Sequence, residues 1–249
     1  MKQPVVVIGM GEMGSVFARG FLRSGHPVYP VTRDVNMDEL ATQVSDPLLV
    51  LVAVGEAALQ DVLKTIPSAW TDRLVLLQNE LLPRDWADYP ESTVISVWFE
   101  KKKGQDSRVI LPSPAFGKMA EALKDAMASI DIPVRVLKND EQLLFELVVK
   151  NLYILTSNIA GLKTGGSVGE LWSDHKETAK AVVEDVISLQ QALTGETFDK
   201  QALIDAMVVA FNGDPDHKCM GRSAPARLER ALRLGNELGI DLPALKNIQ

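Results

Sequence analysis

Short runs of β-branched and aliphatic residues alternate with amphipathic stretches along the first part of the chain, and helical periodicity takes over afterwards. An apolar run at 5–8 predicts a first strand, and SVFARGFLRSG just after it predicts an amphipathic helix. Further strands are expected at 27–31, 48–54, 74–77, 93–97, 108–111 and 134–137. The run LLVLVAV at 48–54 is continuously apolar, as suits a strand buried on both faces. Helices are expected at 36–44, at 56–66 as a crossover, and at 115–129, where Pro112 and Pro114 break the pattern ahead of it. From Asn139 on, helical patterns cover 141–162, 176–193, 200–211 and 224–238, the first two separated by GLKTGGSVG. The expected architecture is α/β: an N-terminal Rossmann-type doubly wound parallel sheet over residues 1–138, then a C-terminal all-helical domain over 139–249. Ligands of such folds bind at the carboxyl ends of strands and in interdomain crevices.

The first strand ends at Gly9, and Gly11 and Gly14 complete G-x-G-x-x-G before the helix. Strand, glycine turn and helix in that order are the context that gives the motif meaning. Gly9 permits the tight turn, Gly11 a close approach of backbone to pyrophosphate, and Gly14 close packing of helix on strand. The helix start adds N–H groups and a positive dipole end. Gly9, Gly11, Glu12, Met13 and Gly14 are therefore the expected core of a dinucleotide site. The alternative is an ordinary glycine-rich turn.

The end of the second strand selects the dinucleotide. NAD-binding units carry an acid there, about 20 residues past the glycines, for the ribose 2′-OH. This chain has Thr32 and Arg33, with Asp34 one step beyond. Arginine suits a 2′-phosphate and poorly replaces a carboxylate acceptor. NADP(H) is the expected cofactor, with Thr32 and Arg33 at the adenosine end. The competing reading has Asp34 on the ribose and Arg33 in solvent.

Composition narrows the remaining classes. The 249 residues are 46% hydrophobic and 24% charged, with a formal net charge of −7. Basic residues are dispersed apart from Lys101-Lys102-Lys103, read as a solvated loop, so neither nucleic acid nor membrane is an expected partner. No stretch is read as a membrane span, and the first apolar run is short for a signal-peptide core. Cys219 is the only cysteine, which excludes an intrachain disulfide and suits a buried thiol in a reducing cytoplasmic compartment. With three histidines, and no ligand spacing seen between His175 or His217 and nearby acids, no metal site is expected.

The ordered features together resemble the ketopantoate reductase (2-dehydropantoate 2-reductase) family over most of the chain. GMGEMG and GHPVYPVTR are similar to its cofactor-binding start, and LLVLVAV to the strand that precedes a cofactor contact. LVLLQNE resembles the family's Leu-Gln-Asn-Gly strand end, which implies a cofactor-contacting role for Asn79. ELVVKNLYILTSNIAGL followed by GEL resembles its hallmark helix, which implies that Lys150 is catalytic and that Asn158 contacts substrate. The chain departs from the pattern at Ile154, where the family has a second asparagine, at Gly55 for a lysine, and at Glu80 for a glycine. Counting back from Gly239-Ile240 to the family's C-terminal glutamate reaches Arg222-Ser223-Ala224, and Glu229 would serve only in another helix register.

The residues support part of this without the family. Lys150 interrupts an apolar helical run and shares one helix face with Ile154 and Asn158 at spacings i, i+4 and i+8. An ammonium and an amide so placed can serve a carbonyl under reduction, where the developing alkoxide needs a donor and then a proton. The alternative is a snorkelling lysine. Among the other candidates, His26 reads as a turn or surface contact, Trp98 and Trp172 as packing anchors more than cleft walls, and Glu170 as a helix cap, a solvated surface residue or a group that orients a loop at the cleft. Ser157 and Ser167 have no evident base.

The expected function is an NADPH-dependent oxidoreductase acting on a small oxo-acid or related carbonyl compound, with Lys150 as acid and Asn158 orienting the substrate. The helical domain is the place for substrate and for pairing in a homodimer. Two other readings stay open: a catalytically degenerate NADP(H)-binding or redox-sensing protein, and a relative of the 6-phosphogluconate and hydroxyacid dehydrogenases.

Overall fold

A computed structural model describes residues 2–248 and divides the chain into two compact units, Met1–Leu144 and Phe145–Gln249.

The first unit is a seven-stranded sheet with helices. Its strands are β1 (Val5–Ile8), β2 (Val28–Val31), β3 (Leu49–Val52), β4 (Leu74–Leu76), β5 (Thr93–Ile95), β8 (Ser113–Phe116) and β9 (Val134–Val136), in the order β2-β1-β3-β4-β5-β8-β9. All neighbours run parallel except β5 and β8. β1, β3 and β4 are buried throughout, which accounts for their unbroken apolar sequences. Pro30 lies in β2, at the sheet edge, where its missing N–H costs no ladder bond to a further strand. Helix α1 (Glu12–Arg23) turns Val16, Phe17, Ala18 and Phe21 into the core beneath the sheet. Helix α4 (Ala120–Ala128) meets it so closely that a Cβ on Gly20 would stand 2.7 Å from the Ala126 carbonyl oxygen. Asn36 caps α2 (Met37–Gln43), its Oδ1 accepting from the N–H of Asp38 and Glu39 at 3.0 and 3.3 Å.

Several expectations are corrected. Pro112 and Pro114 do not lead straight into a helix: Pro114 lies inside β8, where its carbonyl accepts from Ser96 N–H at 2.9 Å. A proline keeps its acceptor, so a strand can use it on that side. Arg108–Val109 is β7, paired with β6 (Phe99–Glu100) in a separate hairpin and not in the main sheet. The crossover at 56–66 holds only a 3₁₀ turn (Glu56–Ala58) and the short α3 (Leu59–Leu63).

The second unit is helical. It takes most of α5 (Asp140–Thr164), then α6 (Val168–Asp174), α7 (Lys176–Thr194), α8 (Lys200–Gly213), α9 (Ala224–Leu238) and α10 (Pro243–Lys246). Helix α6 lies at the end of the glycine-rich separator, where Ser167 and Glu170 form a capping box: Ser167 N–H donates to Glu170 Oε2 at 2.7 Å and Glu170 N–H to Ser167 Oγ at 3.3 Å. Of the readings open to Glu170, the structure selects the cap. Helix α5 corrects the reading that nothing approaches a membrane span: its 25 residues are long and apolar enough, with a window hydropathy of 1.3. That window is 72% buried inside the fold, so it is a core helix. Among its buried polar side chains, Asn151 is hydrogen-bonded across to α7, donating to Gln190 at 2.9 Å.

Candidate functional site

In the first unit the site residues of the dinucleotide motif come together at the carboxyl ends of β1 to β4. Gly9 leaves β1 at a φ of 92°, and a Cβ there would meet the Ala53 carbonyl oxygen at 2.8 Å. Its N–H donates to Val31 at the end of β2, and Ala53 N–H donates to Ile8. The turn is thus pinned between β2 and β3. A Cβ on Gly14 would overlap the Gly9 carbonyl oxygen. Gly11 differs from both: its φ is −74° and a Cβ there would meet nothing within 4 Å. Protein packing therefore requires glycine at two of the three positions and leaves the third facing open space. That space lies at the start of α1, where a helix dipole favours an anion. These residues fit a dinucleotide pyrophosphate.

Glu12 begins α1 and pairs with Lys101, whose Nζ lies 3.0 Å from Glu12 Oε2 and 2.8 Å from the Lys102 carbonyl oxygen. Lys101 is only 19% exposed, which corrects the reading of the lysine triplet as a wholly solvated loop. The hairpin that carries it is anchored on α1 by Phe99 against Phe17, ring centroids 6.0 Å apart. Met13 is partly buried and packs against the core. Thr32 and Arg33 follow β2 and are exposed, as is Asp34.

Asn79 follows β4 and donates to Glu56 Oε1 at 3.2 Å. The residue before it fixes its place: buried Gln78 donates to the carbonyls of Val52 and Val54 at 2.6 and 3.1 Å and accepts from Leu77 N–H. Glu80 stands at a φ of 61°, the left-handed conformation that favours glycine. The sequence departure at this position therefore keeps the backbone shape of a glycine.

In the second unit α5 carries Lys150, Ile154 and Asn158. Lys150 is half-buried with its Nζ 5.6 Å from the centroid of the Tyr153 ring. Ile154 is 6% exposed and Asn158 9%. Asn158 Oδ1 accepts from Arg227 Nη1 of α9 at 3.0 Å, and its Nδ2 lies 3.4 Å from Ser157 Oγ. Glu229 is exposed on the same helix, so Arg227 is the α9 residue that meets this asparagine. Lys101 stood out in the sequence only as part of a lysine triplet read as solvated, and Arg227 carried no signal there.

The remaining candidates take structural places. His26 Nδ1 is 2.8 Å from the Gln3 carbonyl oxygen. Trp98 is buried, and Trp172 packs on Phe211 at 6.0 Å between centroids. His217 does have an acid at short spacing, which corrects the sequence reading: its Nδ1 is 3.8 Å from Oδ2 of buried Asp214. Cys219 is buried, and desolvation pushes its thiol up to about 11, so it is no nucleophile at neutral pH.

No protein-family model and no curated protein matches the chain by sequence. Solved structures do match its fold over nearly the full length. A PanE/ApbA family ketopantoate reductase from Ralstonia eutropha JMP134 aligns with 98% of this chain and 95% of its own at a TM-score of 0.69 and 17% identity. A dimeric ketopantoate reductase from Staphylococcus aureus gives 98%, 96%, 0.69 and 17% for the same quantities. A D-mandelate dehydrogenase in complex with NADH covers 98% and 96%, at a TM-score of 0.66 and 13% identity. The chain therefore has the ketopantoate-reductase fold, at a sequence distance where fold alone is shared.

Proposed function

We propose that this protein is an NADPH-dependent oxidoreductase that reduces a small oxo-acid or related carbonyl compound. The observation that carries the cofactor half is Gly11. Its glycine identity has no conformational or packing cause within the protein, and a pyrophosphate supplies one. Gly9, Gly11 and Gly14, with Glu12 and Met13 between them, would hold the diphosphate at the start of α1. Thr32 and Arg33 would hold the adenosine 2′-phosphate, and Asn79 would contact the nicotinamide end. Reduced nicotinamide, when bound, supplies hydride to a carbonyl carbon.

The chain's own chemistry falls to α5. Lys150 donates to the carbonyl oxygen, stabilises the developing alkoxide, and gives up a proton to it. Asn158, held by Arg227, presents its amide to the substrate. Buried Ile154 lines the same helix face with an apolar surface, which favours a less hydroxylated substrate than ketopantoate. The helical unit would also provide the surface for a homodimer; the S. aureus neighbour is dimeric.

A second reading has specific support. Ile154 stands for an amide, and Arg222-Ser223-Ala224 carry no acid where the family resemblance implies one, as in a protein that binds NADP(H) without turnover. The NADH-bound mandelate dehydrogenase keeps Asp34 in play as a ribose acceptor in place of Arg33. The deciding experiment pairs calorimetric titration of NADPH and NADH with an NADPH-oxidation screen over oxo-acids, including apolar and aromatic ones. Tight NADPH binding with turnover of at least one oxo-acid is expected. NADPH binding without any turnover would select the binding-protein reading.

A further inference from the structure

Strand order sets which way a dinucleotide would run over the first unit. The sheet starts with β2 at its edge, followed by β1, β3 and β4. An adenosine end at β2 and a diphosphate at β1 leave the nicotinamide half for the carboxyl ends of β3 and β4. Gly55 and Glu56 follow β3 there, and Asn79 follows β4. On the cofactor reading proposed above, we infer that Glu56 is a positioning residue for that half. It turns the Asn79 amide so that the oxygen accepts from the carboxamide NH2 of the nicotinamide.

Buried Gln78 sets the stage for the pair. Its amide nitrogen donates to the carbonyls of Val52 and Val54 at 2.6 and 3.1 Å, and its oxygen accepts from Leu77 N–H at 3.1 Å. The ends of β3 and β4 are thus clamped where the two loops begin. Just past the clamp, Asn79 Nδ2 donates to Glu56 Oε1 at 3.2 Å. A carboxylate only accepts hydrogen bonds, so the amide must give its nitrogen to Glu56. The Asn79 oxygen then lies on the other branch of the amide. Among the described residues, the Asn79 side chain makes no other hydrogen bond.

A tie between two loops is a poor account of this bond. Gln78 already joins the strand ends from a buried position, whereas the Asn79–Glu56 bond is exposed, where a hydrogen bond adds little to stability. Gly55 is informative beside it. Its φ is −65°, which any residue adopts, and a Cβ there would meet nothing within 4 Å. Like Gly11, it is a glycine with no conformational or packing cause within the protein, at the same end of the sheet. A residue without a side chain leaves room for a flat ring, and an outward amide oxygen needs a donor. A nicotinamide supplies both.

Calorimetry with NADP⁺ and with its 3-acetylpyridine analogue tests this. The analogue has a methyl group in place of the carboxamide NH2 and keeps the carbonyl. Both are oxidised, so any effect of the Glu56 charge on the ring is common to them. The wild type is expected to bind NADP⁺ about three- to tenfold more tightly, as for one hydrogen bond. Asn79→Ala should abolish that preference. Glu56→Ala should bring it to about half or less, because the amide is then free to turn, and Glu56→Gln, which still offers an acceptor, should keep most of it. In the Asn79→Ala background, Glu56→Ala should leave the ratio unchanged. A wild type that binds the two alike, or a preference that survives Asn79→Ala, would overturn the inference and leave the cofactor reading standing. So would a Glu56→Ala protein that melts clearly lower with its preference intact, since the bond would then be a loop tie. A folded wild type that binds neither these two nor NADPH would sink the cofactor reading itself, and this inference with it.

Discussion

Gly14 lies so close to Gly9 that any side chain on Gly14 would overlap the Gly9 carbonyl oxygen. The first turn of α1 is pressed onto the loop that feeds it, while Gly11, between them, faces open space. Two glycines of one motif should therefore fail differently. Gly14→Ala is expected to destabilise the protein by about 2 kcal/mol or more, because backbone and not a flexible side chain must move. Gly11→Val should stay within about 1 kcal/mol of the wild type and lose NADPH binding. Thermal melts and calorimetry on both variants check this. A Gly11→Val protein that binds NADPH normally would reduce the motif to a turn.

Arg33 is exposed just past β2. A charge-assisted contact to the 2′-phosphate should contribute on the order of 1.5–3 kcal/mol. Arg33→Ala is expected to weaken NADPH about tenfold or more and leave NADH nearly unchanged. Equal losses for both cofactors would refute the assignment, and an NADH loss confined to Asp34→Ala would favour the ribose reading.

Lys101 should behave differently from Arg33, because it neutralises Glu12 at the start of α1. Without it, the Glu12 carboxylate repels the diphosphate that both dinucleotides share. Lys101→Ala is expected to weaken NADPH and NADH alike, by roughly three- to tenfold at low salt. Glu12→Gln combined with it should restore most of the affinity. An effect confined to NADPH would place Lys101 at the 2′-phosphate instead.

The parts of this molecule that read directly from sequence are those set by local pattern. The apolar runs of β1, β3 and β4 and the helix at Ala224–Leu238 are continuous signals, and the glycine turn sits directly between β1 and α1. Strand β8 was hidden because Pro114 argues against a strand unless the pairing side is known. Glu80 looked like a lost glycine, yet the backbone keeps a φ of 61° and bears the strain of a side chain there. The Arg227–Asn158 bond was out of reach for a different reason. It joins α9 to α5 across 69 residues, and no periodicity encodes which helices face each other.

Asp185 offers a pH-dependent check on the helical unit. Its Oδ2 accepts from the N–H groups of Ala244 and Leu245 at 2.8 and 3.0 Å, tying α10 to α7. Burial nevertheless raises its carboxyl above the usual value, outweighing those two bonds. A carboxyl raised in the fold contributes stability below its unfolded pKa, and that contribution is lost as pH rises through the folded value. Ionised Asp185 is therefore a net cost near neutrality. Asp185→Asn keeps an acceptor for the same N–H groups without the charge. It should be neutral to stabilising by up to about 1 kcal/mol at pH 7, with the gain fading in acid. Denaturant melts at pH 4 and pH 7 decide it; a variant clearly less stable at pH 7 would show that the charge itself holds α10.

The chemical prediction concerns Lys150: some carbonyl reduction should depend on it, with poor or absent turnover of ketopantoate. The first half follows from an ammonium half-buried on an otherwise apolar helix face, with Asn158 on the same face of α5. Removing a general acid of this kind costs about 10²–10⁴-fold in rate, so Lys150→Ala should lose at least about 100-fold in kcat on any active substrate. The second half follows from Ile154 and from Arg222-Ser223-Ala224, which carry no acid where the family resemblance implies a glutamate. A hydroxylated substrate there would leave polar groups unpaired, at about 1–3 kcal/mol each, and an isoleucine cannot replace an amide donor. An apolar side chain on the oxo-acid pays no such penalty. Steady-state kinetics of wild type and Lys150→Ala on ketopantoate and on less polar oxo-acids test both halves. Efficient ketopantoate turnover by the wild type would sink the specificity argument, and unchanged turnover in Lys150→Ala would sink the catalytic one.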